Sequence, residues 1–277
     1  MPTLPHALIL EGGGLRGNYT AGVLDAFMKH GLEFPYLIGV SAGVGMGCSF
    51  VSKQRERNLY ILKNYRKDPR YLSIRSFIKT GDYFGLDFIY HDIPDRFVPF
   101  DIETFLASPT RFVSVCTDCE TGEPAYFEKD SGILSVMKAS SAMPFVSRIV
   151  EHGGRKLLDG GISDAIPLAK ALSEGFTQNI VILTHPAGYR RKRGIEPPAR
   201  LFYRKYPRLI EALGSYVEKY NQSLAFAEDE AAAGRTLMIR PSVDLKVSRT
   251  ERDMAKLISL YELGLKDGEA AALTLTA

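Results

Sequence analysis

The sequence predicts an α/β fold in which a mostly parallel sheet carries helices on both faces. Apolar, strand-like runs occupy residues 6–11 and 36–40, and apolar residues recur at helical spacing between them. Strand and helix signals then alternate as far as residue 184, which favours a parallel sheet. The chain length between the first two strands fits one right-handed strand–helix–strand unit, so both strands should end at the same sheet edge. Ligand sites in such folds lie at that edge.

The first strand is followed by a glycine-rich turn. Residues 6–11 (HALILE) read as a buried strand, and residues 12–17 (GGGLRG) can offer backbone N–H groups to an anion. The next helix has one apolar face, and Gly31 supplies a stop signal just past it. The residues that form this face are Val23, Leu24, Phe27 and Met28.

The second strand ends in a corner that can present a nucleophile. Residues 36–40 (YLIGV) lead into the turn at residues 39–43 (GVSAG), which would lift Ser41 above the strand. A serine hydroxyl becomes a nucleophile only when a base takes its proton and donors stabilise the oxyanion. The candidates for the oxyanion site are Gly12, Gly13, Gly14, Arg16 and Gly17, and those that frame the nucleophile are Gly39, Ala42 and Gly43.

An aromatic-rich segment follows, with ten rings between residues 60 and 100. It predicts a mainly helical insertion at about residues 55–100, whose rings form an apolar substrate pocket, the insertion's own core, or both. Further strands are predicted at residues 111–116 and 125–128, with a hairpin over residues 146–158 that ends at Asp159. A helix at residues 167–174 and a buried strand at residues 179–184 complete this part.

Two residues compete for the role of base. His185 follows the predicted strand at residues 179–184, and it is the one histidine of five with a convincing strand-end position. Asp159 also ends a strand, and Gly160 and Gly161 let the backbone turn away from it. An aspartate is a weak base at neutral pH unless burial raises its pKa. A Ser–Asp dyad is therefore reasonable in a dry cleft, although a simple hairpin turn explains the same residues.

The chain beyond residue 186 is basic and predicted to be helical. Eight arginines and lysines lie between residues 190 and 208, and a helix is predicted over residues 198–227. Such a run can contact anionic lipid headgroups, but a solvated face is its commoner explanation. The last helix is signalled by Thr250 and Asp253, an approximate capping box, and an apolar stripe that predicts packing rather than chemistry.

The composition excludes several classes of protein. The chain has 277 residues, of which 45% are hydrophobic and 24% charged, enough for one α/β domain or a domain with a cap. Its net charge of +3 is too small to indicate nucleic-acid binding. No segment approaches the ~18 apolar residues of a membrane-spanning helix, and the first residues lack the features of a secretion signal.

Three cysteines cannot form a disulfide framework, so we expect a cytoplasmic protein, at most peripheral to a membrane. Cys116 and Cys119 have redox-motif spacing, but they lie at the end of a strand-like run and not at a helix N-terminus. A zinc site would need two further ligands, and the sequence places none nearby. We therefore expect neither a metal nor a cofactor.

Three motifs together resemble those of the patatin-like phospholipase family. The glycine-rich turn at residues 12–17, the Gly-x-Ser-x-Gly corner at residues 39–43 and the Asp-Gly-Gly at residues 159–161 occur in the family's order. Residues 139–144 (ASSAMP) are similar to a family segment that precedes the aspartate. The resemblance covers roughly residues 6–185, and the remainder is similar to the C-terminal extension of small bacterial members.

The resemblance implies a three-layer α/β/α sandwich with a helical insertion and C-terminal helices. It implies a catalytic domain at residues 6–185 and a basic helical extension at residues 186–277 packed on the same domain. It also implies hydrolysis of lipid acyl esters through a dyad of Ser41 as nucleophile and Asp159 as base, with His185 dispensable. The expected partners are an acyl-lipid or ester substrate and an anionic membrane surface, without nucleic acid.

Three alternatives stay open at this point. An acyltransferase would use the same dyad and the same acyl-enzyme, and a lipid-binding protein would use the pocket without turnover. The pattern Gly12-x-Gly14-x-x-Gly17 also fits a dinucleotide-binding oxidoreductase. That fold needs an acid at the end of its second strand, where this chain has Val40 and Ser41.

Overall fold

A central sheet organises the protein in the computed structural model, which describes residues 4–193 and 197–276. Within these residues eight strands form one sheet in the order β5-β6-β3-β2-β1-β7-β8, with β4 also paired to β3. The strands are β1 (Ala7–Leu10), β2 (Tyr36–Val40), β3 (Arg111–Asp118), β4 (Pro124–Glu128), β5 (Val150–His152), β6 (Arg155–Asp159), β7 (Asn179–Ile182) and β8 (Thr236–Ile239).

The sheet is mostly parallel, as predicted. Strands β3, β2, β1, β7 and β8 run parallel to their neighbours. Strands β4 and β6 run antiparallel to β3, and β5 runs antiparallel to β6. In the register of β1 and β2, Leu10 lies opposite Gly39, so the glycine-rich turn and the Ser41 corner emerge side by side.

Helices cover both faces of the sheet and give three layers. Leu8 and Leu10 belong to an apolar core shared with α1, α2 and α6. Ala7 and Ile9, whose side chains alternate to the other face, belong to a second core shared with α7 and α9. The helices are α1 (Gly17–Lys29), α2 (Ala42–Val51), α3 (Arg57–Tyr65), α4 (Ile74–Thr80), α5 (Ile102–Ala107), α6 (Ile133–Ser140), α7 (Leu168–Ser173), α8 (Ala199–Phe202), α9 (Pro207–Ala232) and α10 (Met254–Thr276), with a π-helical segment at Phe88–Phe97.

The C-terminal residues complete the same body. Strand β8 extends the sheet beyond β7, and α10 packs closely on α1. A side chain at Gly264 of α10 would collide with the carbonyl of Tyr19 in α1. Tyr261 of α10 donates a hydrogen bond to the buried Asp25 of α1 at 2.8 Å. The hydrogen bond and the close backbone approach therefore hold α10 against α1.

The predicted helix over residues 198–227 is wrong in one respect, because the structure divides it. Helix α8 ends at Phe202, and α9 begins at Pro207. Proline has no N–H to continue the helix, and it disfavours the helical conformation of the residue before it. A second correction concerns the last helix, which begins at Met254. Its cap is Asp253, whose Oδ1 accepts hydrogen bonds from the backbone N–H groups of residues 255 and 256 at 2.9 and 3.3 Å.

The predicted hairpin is present with a shorter first arm, since β5 begins only at Val150. Gly153 and Gly154 both have positive φ values, 57° and 73°. Such a pair forms the tight turn whose twist matches that of the strands. None of the helices in the described part of the chain combines the length and apolar character needed to cross a bilayer.

Candidate active site

Ser41 lies at the corner between β2 and α2 in a backbone conformation that residues other than glycine rarely adopt. Its φ is 54° and its ψ is −123°. Such a backbone persists only where its surroundings hold it. The Ser41 N–H donates to Ser140 Oγ at 2.8 Å, and Ser140 Oγ donates to the Val115 carbonyl at 2.6 Å. Ser140 thus ties the corner to β3.

Glycines make the corner possible because the backbones approach too closely for side chains. A Cβ at Gly39 would lie 3.0 Å from the carbonyl carbon of Gly43, and a Cβ at Gly43 would lie 2.7 Å from the Leu10 carbonyl oxygen. Ala42 follows Ser41 as the first residue of α2. The positive end of that helix therefore faces the Ser41 hydroxyl.

Asp159 meets Ser41 across the cleft. Ser41 Oγ donates to Asp159 Oδ2 at 2.8 Å, and the Gly161 N–H donates to Asp159 Oδ1, also at 2.8 Å. The two side chains come from distant parts of the sequence, and Ser41 and Asp159 are only 7% and 8% exposed. A side chain at Gly160 would collide with the Val115 carbonyl, so the turn after Asp159 fits only glycine.

Burial raises the pKa of the Asp159 carboxyl above its usual value. The hydrogen bonds from Gly161 and Ser41, and the charges of Arg249 and Arg191, oppose this effect without cancelling it. A carboxylate with a raised pKa is a stronger base than an ordinary aspartate. The direction of this shift is the one that a direct Ser–Asp dyad needs.

His185 lines a cavity other than the ones that Ser41 lines. Its ring stacks on Tyr189 with 3.5 Å between the ring centroids. Burial, reinforced by the charges of Arg16, Arg191 and Arg249, lowers the pKa of His185 to about 3, so the ring is neutral at physiological pH. Among the described residues, the Ser41 hydroxyl donates to Asp159 and not to His185.

The glycine-rich turn lies directly over Ser41. A Cβ at Gly12 would lie 2.9 Å from Ser41 Cβ, and one at Gly13 would lie 2.8 Å from Thr184 Oγ1. Gly14 has a φ of 56°, and a Cβ there would lie 2.8 Å from the Arg249 carbonyl oxygen. In the hydrogen-bond network of the described residues, the N–H groups of Gly13 and Gly14 donate to no acceptor. They remain available to a ligand.

The other two candidates of this turn have different surroundings. Arg16 lines a separate small cavity with Thr184 and His185, and burial lowers its pKa to about 10. Gly17 begins α1, where a Cβ would lie 2.8 Å from the Cβ of Ala42. Gly17 thus lets α1 approach the first turn of α2.

Two cavities open onto Ser41. The first is apolar and lies under the insertion, while other rings of the insertion pack together as its own core. The second lies on the Asp159 side and is lined partly by the C-terminal residues. The first is lined by residues that include Gly45, Met46, Ile61, Leu62, Tyr71, Phe84, Leu86, Tyr90, Leu134 and Met137. The second is lined by residues that include Gly12, Gly13, Gly14, Phe145, Asp159, Arg191, Leu213, Tyr216 and Arg249.

Sequence reasoning missed three residues of this site. Ser140 lies in the segment at residues 139–144, but nothing in that segment indicated a bond to the Ser41 N–H. Arg191 was counted only as part of a basic run, and Arg249 had no signal at all. Cys116 and Cys119 are buried free thiols. No cluster of three or more potential metal ligands occurs within residues 4–193 and 197–276.

Comparisons with known proteins identify the family of the chain. Residues 8–172 match the family model of patatin-like phospholipases, and residues 206–276 match the model of a domain of unknown function, DUF6363. The uncharacterized protein YjjU of Escherichia coli is 31% identical over 187 residues, which are 65% of this chain and 52% of that protein. The uncharacterized NTE family protein Rv1063c of Mycobacterium tuberculosis is 27% identical over 163 residues, which are 59% of this chain and 44% of that protein.

The chain thus spans about half the length of the curated relatives that it matches. Among solved structures, VipD from Legionella pneumophila aligns with 98% of this chain and 66% of its own, at 13% identity and a TM-score of 0.47. The family model alone covers more than half of the residues, and it includes both the glycine-rich turn and the Ser41–Asp159 pair. The chain belongs to the patatin-like phospholipase family.

Proposed function

We propose that this protein is a serine-dependent lipid acyl hydrolase, with Ser41 as nucleophile and Asp159 as general base. The observation that carries the proposal is the 2.8 Å hydrogen bond between Ser41 Oγ and Asp159 Oδ2, two nearly buried side chains. The family supports a lipid ester as the class of substrate. The apolar cavity beside Ser41 suits an acyl chain.

In the proposed reaction Ser41 Oγ attacks the ester carbonyl carbon while Asp159 takes the hydroxyl proton. The tetrahedral intermediate collapses, the bond to the leaving alcohol breaks, and Asp159 returns the proton to that alcohol. Water then attacks the acyl-enzyme, again losing a proton to Asp159, and the fatty acid leaves as Ser41 is restored. The raised pKa of Asp159 supports its role in both steps.

The proposed oxyanion donors are the N–H groups of Gly13 and Gly14, with that of Ala42. The first two have no acceptor among the described residues, and Ala42 begins a helix whose positive end faces the reacting oxygen. The loss of one such donor typically costs about 3 kcal/mol in the barrier. The tight packing of these glycines explains why the donors keep their positions.

A fluorophosphonate probe and a short-chain ester assay test the proposal. We expect Ser41→Ala to lose both labelling and hydrolysis, and Asp159→Asn to lower kcat by about 10²- to 10⁴-fold. His185→Ala is the matched control, because His185 is the other candidate base that follows a strand. This variant should keep most of the wild-type activity. The opposite result for the Asp159 and His185 variants would overturn the assignment of the base.

Acyl transfer is the second candidate reaction, because the same acyl-enzyme can pass its acyl group to an alcohol. Product analysis separates the two. Hydrolysis yields a free fatty acid, whereas transfer to added glycerol yields a new ester.

We also propose that the protein works in the cytoplasm and contacts an anionic membrane surface through α8. Leu201 and Phe202 are 74% and 54% exposed. The Phe202 ring centroid lies 5.6 Å from that of Phe145, which lines the second cavity. The exposed basic residues around this apolar pair, which have no salt bridge among the described residues, are Arg200, Arg204 and Lys205.

Sedimentation with vesicles tests this contact. We expect Leu201→Glu to reduce binding to phosphatidylglycerol vesicles about fivefold or more, since it replaces apolar burial with a like charge. The matched control is Leu273→Glu on α10, where the leucine is 60% exposed. Equal loss in both variants, or equal binding of the protein to uncharged phosphatidylcholine vesicles, would contradict the proposal.

A further inference from the structure

The second cavity joins the catalytic pair to the part of the chain that lies beyond the patatin-like segment. Asp159 and Ser41 form one side of it, and Arg191, Tyr216 and Arg249 form the other. Both guanidinium groups lie near enough to lower the pKa of Asp159. An acyl chain in the first cavity directs the alcohol half of an ester into this second one.

Arg191 is held in place without its charge being neutralised. Its backbone N–H donates to Asn221 Oδ1 at 2.8 Å, and Asn221 Nδ2 donates to its carbonyl at 2.9 Å. Its guanidinium stacks over Tyr220, with 3.7 Å from Cζ to the ring centroid. Its Nε is buried without a hydrogen-bond partner, and no described acid forms a salt bridge with it. An unused buried donor of this kind suits an anionic acceptor.

Arg249 is also fixed through its backbone, since its carbonyl accepts a hydrogen bond from the Leu15 N–H at 3.0 Å. Its side chain forms no hydrogen bond or salt bridge within the described residues, and its charge lowers the pKa values of Arg16, Asp159 and His185. Nearby arginines outside the cavity are paired instead. Arg190 and Arg240 contact Glu228 at 2.5 and 3.1 Å.

We propose that Arg191 and Arg249 form a binding site for a phosphate group on the alcohol half of the substrate. Two guanidinium groups offer more donors than a carboxylate can accept, and arginine pairs well with phosphate oxygens. The site selects acyl esters whose leaving alcohol carries a phosphate. It also binds the phosphorylated alcohol after cleavage. This specificity rests on the proposed function, whereas phosphate binding itself can be measured without turnover.

Calorimetry on the Ser41→Ala protein tests the site directly. We expect inorganic phosphate and glycerol 3-phosphate to bind and glycerol not to bind. Arg191→Met and Arg249→Met should each weaken binding about tenfold, and Arg249→Lys should restore part of it. Arg190→Met is the matched control because Arg190 is paired with Glu228 outside the cavity. Binding that is absent, or unchanged in both cavity variants, would overturn the site.

Kinetics then decide whether the ligand is the headgroup or free phosphate. The measurement is the ratio of kcat/KM for a lysophosphatidic acid to that for a monoacylglycerol with the same acyl chain. We expect this ratio to fall about tenfold in Arg191→Met and Arg249→Met but not in Arg190→Met. A shifted pH profile with an unchanged ratio would mean that the arginines only tune Asp159, and it would overturn the selectivity.

The two proposals fail in different ways. If the wild type hydrolyses the monoacylglycerol but Ser41→Ala binds no phosphate, the phosphate site is wrong and the proposed function stands. If Ser41→Ala binds phosphate through both arginines but the wild type cleaves neither ester, the site stands and the proposed function is wrong.

Discussion

The two walls of the Ser41 cleft differ in how they are built. The wall under the insertion is made of many apolar side chains, several of which also belong to the core. The wall on the other side also contains apolar residues, but it carries two arginines, Arg191 and Arg249, which the chain beyond residue 185 supplies. Substitution of one residue in the first wall should change its shape gradually, whereas substitution of one arginine removes half of the second wall's charge.

This difference separates what the central sheet fixes from what the C-terminal residues supply. The glycine-rich turn, Ser41 and Asp159 lie at the ends of strands β1, β2 and β6 of the central sheet, whose hydrogen bonds fix those strands. In the second wall, Arg191 is held by Asn221 of α9, and Arg249 lies in the loop before α10, which packs on α1. Three substitutions test the comparison.

The largest expected effect is on the docking of α10. A methyl group at Gly264 would collide with the Tyr19 carbonyl of α1, and the helices would have to separate. We expect Gly264→Ala to lower the free energy of unfolding by about 3 kcal/mol or more. Urea denaturation of the variant and the wild type measures this difference in the free energy of unfolding.

Gly214→Ala in α9 is the matched control, since a Cβ there has nothing within 4 Å. This change should raise the free energy of unfolding by about 1 kcal/mol through helix propensity. If both alanines had the same effect, α10 would not be packed as described, and the second wall would lose its support.

The second effect concerns the apolar wall. Gly45 lies on α2 and lines the first cavity, and a Cβ there would lie 3.8 Å from Met137 Cε, an ordinary contact. Gly45→Leu should therefore fold and fill part of the cavity. We expect the ratio of kcat/KM for a lauroyl ester to that for an acetyl ester to fall about tenfold, or ~1.4 kcal/mol in the barrier.

Gly214→Leu provides the same chemical change away from the site. An unchanged chain-length preference in Gly45→Leu would show that acyl chains do not occupy the first cavity.

The smallest expected effect is that of Asp159→Asn on the free energy of unfolding, and it depends on pH. Because the pKa of Asp159 is raised in the folded protein, the folded state binds this proton more tightly than the unfolded state. The resulting stabilisation is present below the unfolded pKa and is lost as pH rises through the folded pKa. Each unit by which the pKa is raised costs about 1.4 kcal/mol at neutral pH.

We therefore expect Asp159→Asn, although nearly inactive, to have a higher free energy of unfolding than the wild type at pH 7.5. The advantage should vanish in acid, and thermal unfolding across this pH range measures both. A less stable variant at pH 7.5 would contradict the raised pKa. It would mean that the surrounding arginines outweigh burial.

The sequence was informative about the strand-end corners of the candidate site because the constraints there are local. Glycines at positions 12, 39 and 160 mark close approaches that leave little or no room for a side chain, and they lie near the proposed catalytic residues. The strand order near β1 and β2 followed from one crossover. The break between α8 and α9 is also encoded locally, because Pro207 disfavours a helical conformation in the residue before it.

The rest depended on contacts between distant residues. Arg249 lies in a loop without periodicity or a framing glycine, and its position is set by α10 and by the Leu15 N–H. Ser140 belongs to an ordinary helix end, and only the register of β3 reveals that it supports the Ser41 backbone. No local pattern encodes such pairings.

The hydrogen bond from Leu15 to the Arg249 carbonyl has a consequence for biosynthesis. A ribosome releases the glycine-rich turn early, but the backbone that braces it emerges only much later. Until then the nascent polypeptide carries Ser41 beside an incompletely supported glycine-rich turn. Contacts so remote along the chain also slow folding. The proposed hydrolysis should therefore begin only after the C-terminal part has been translated and docked.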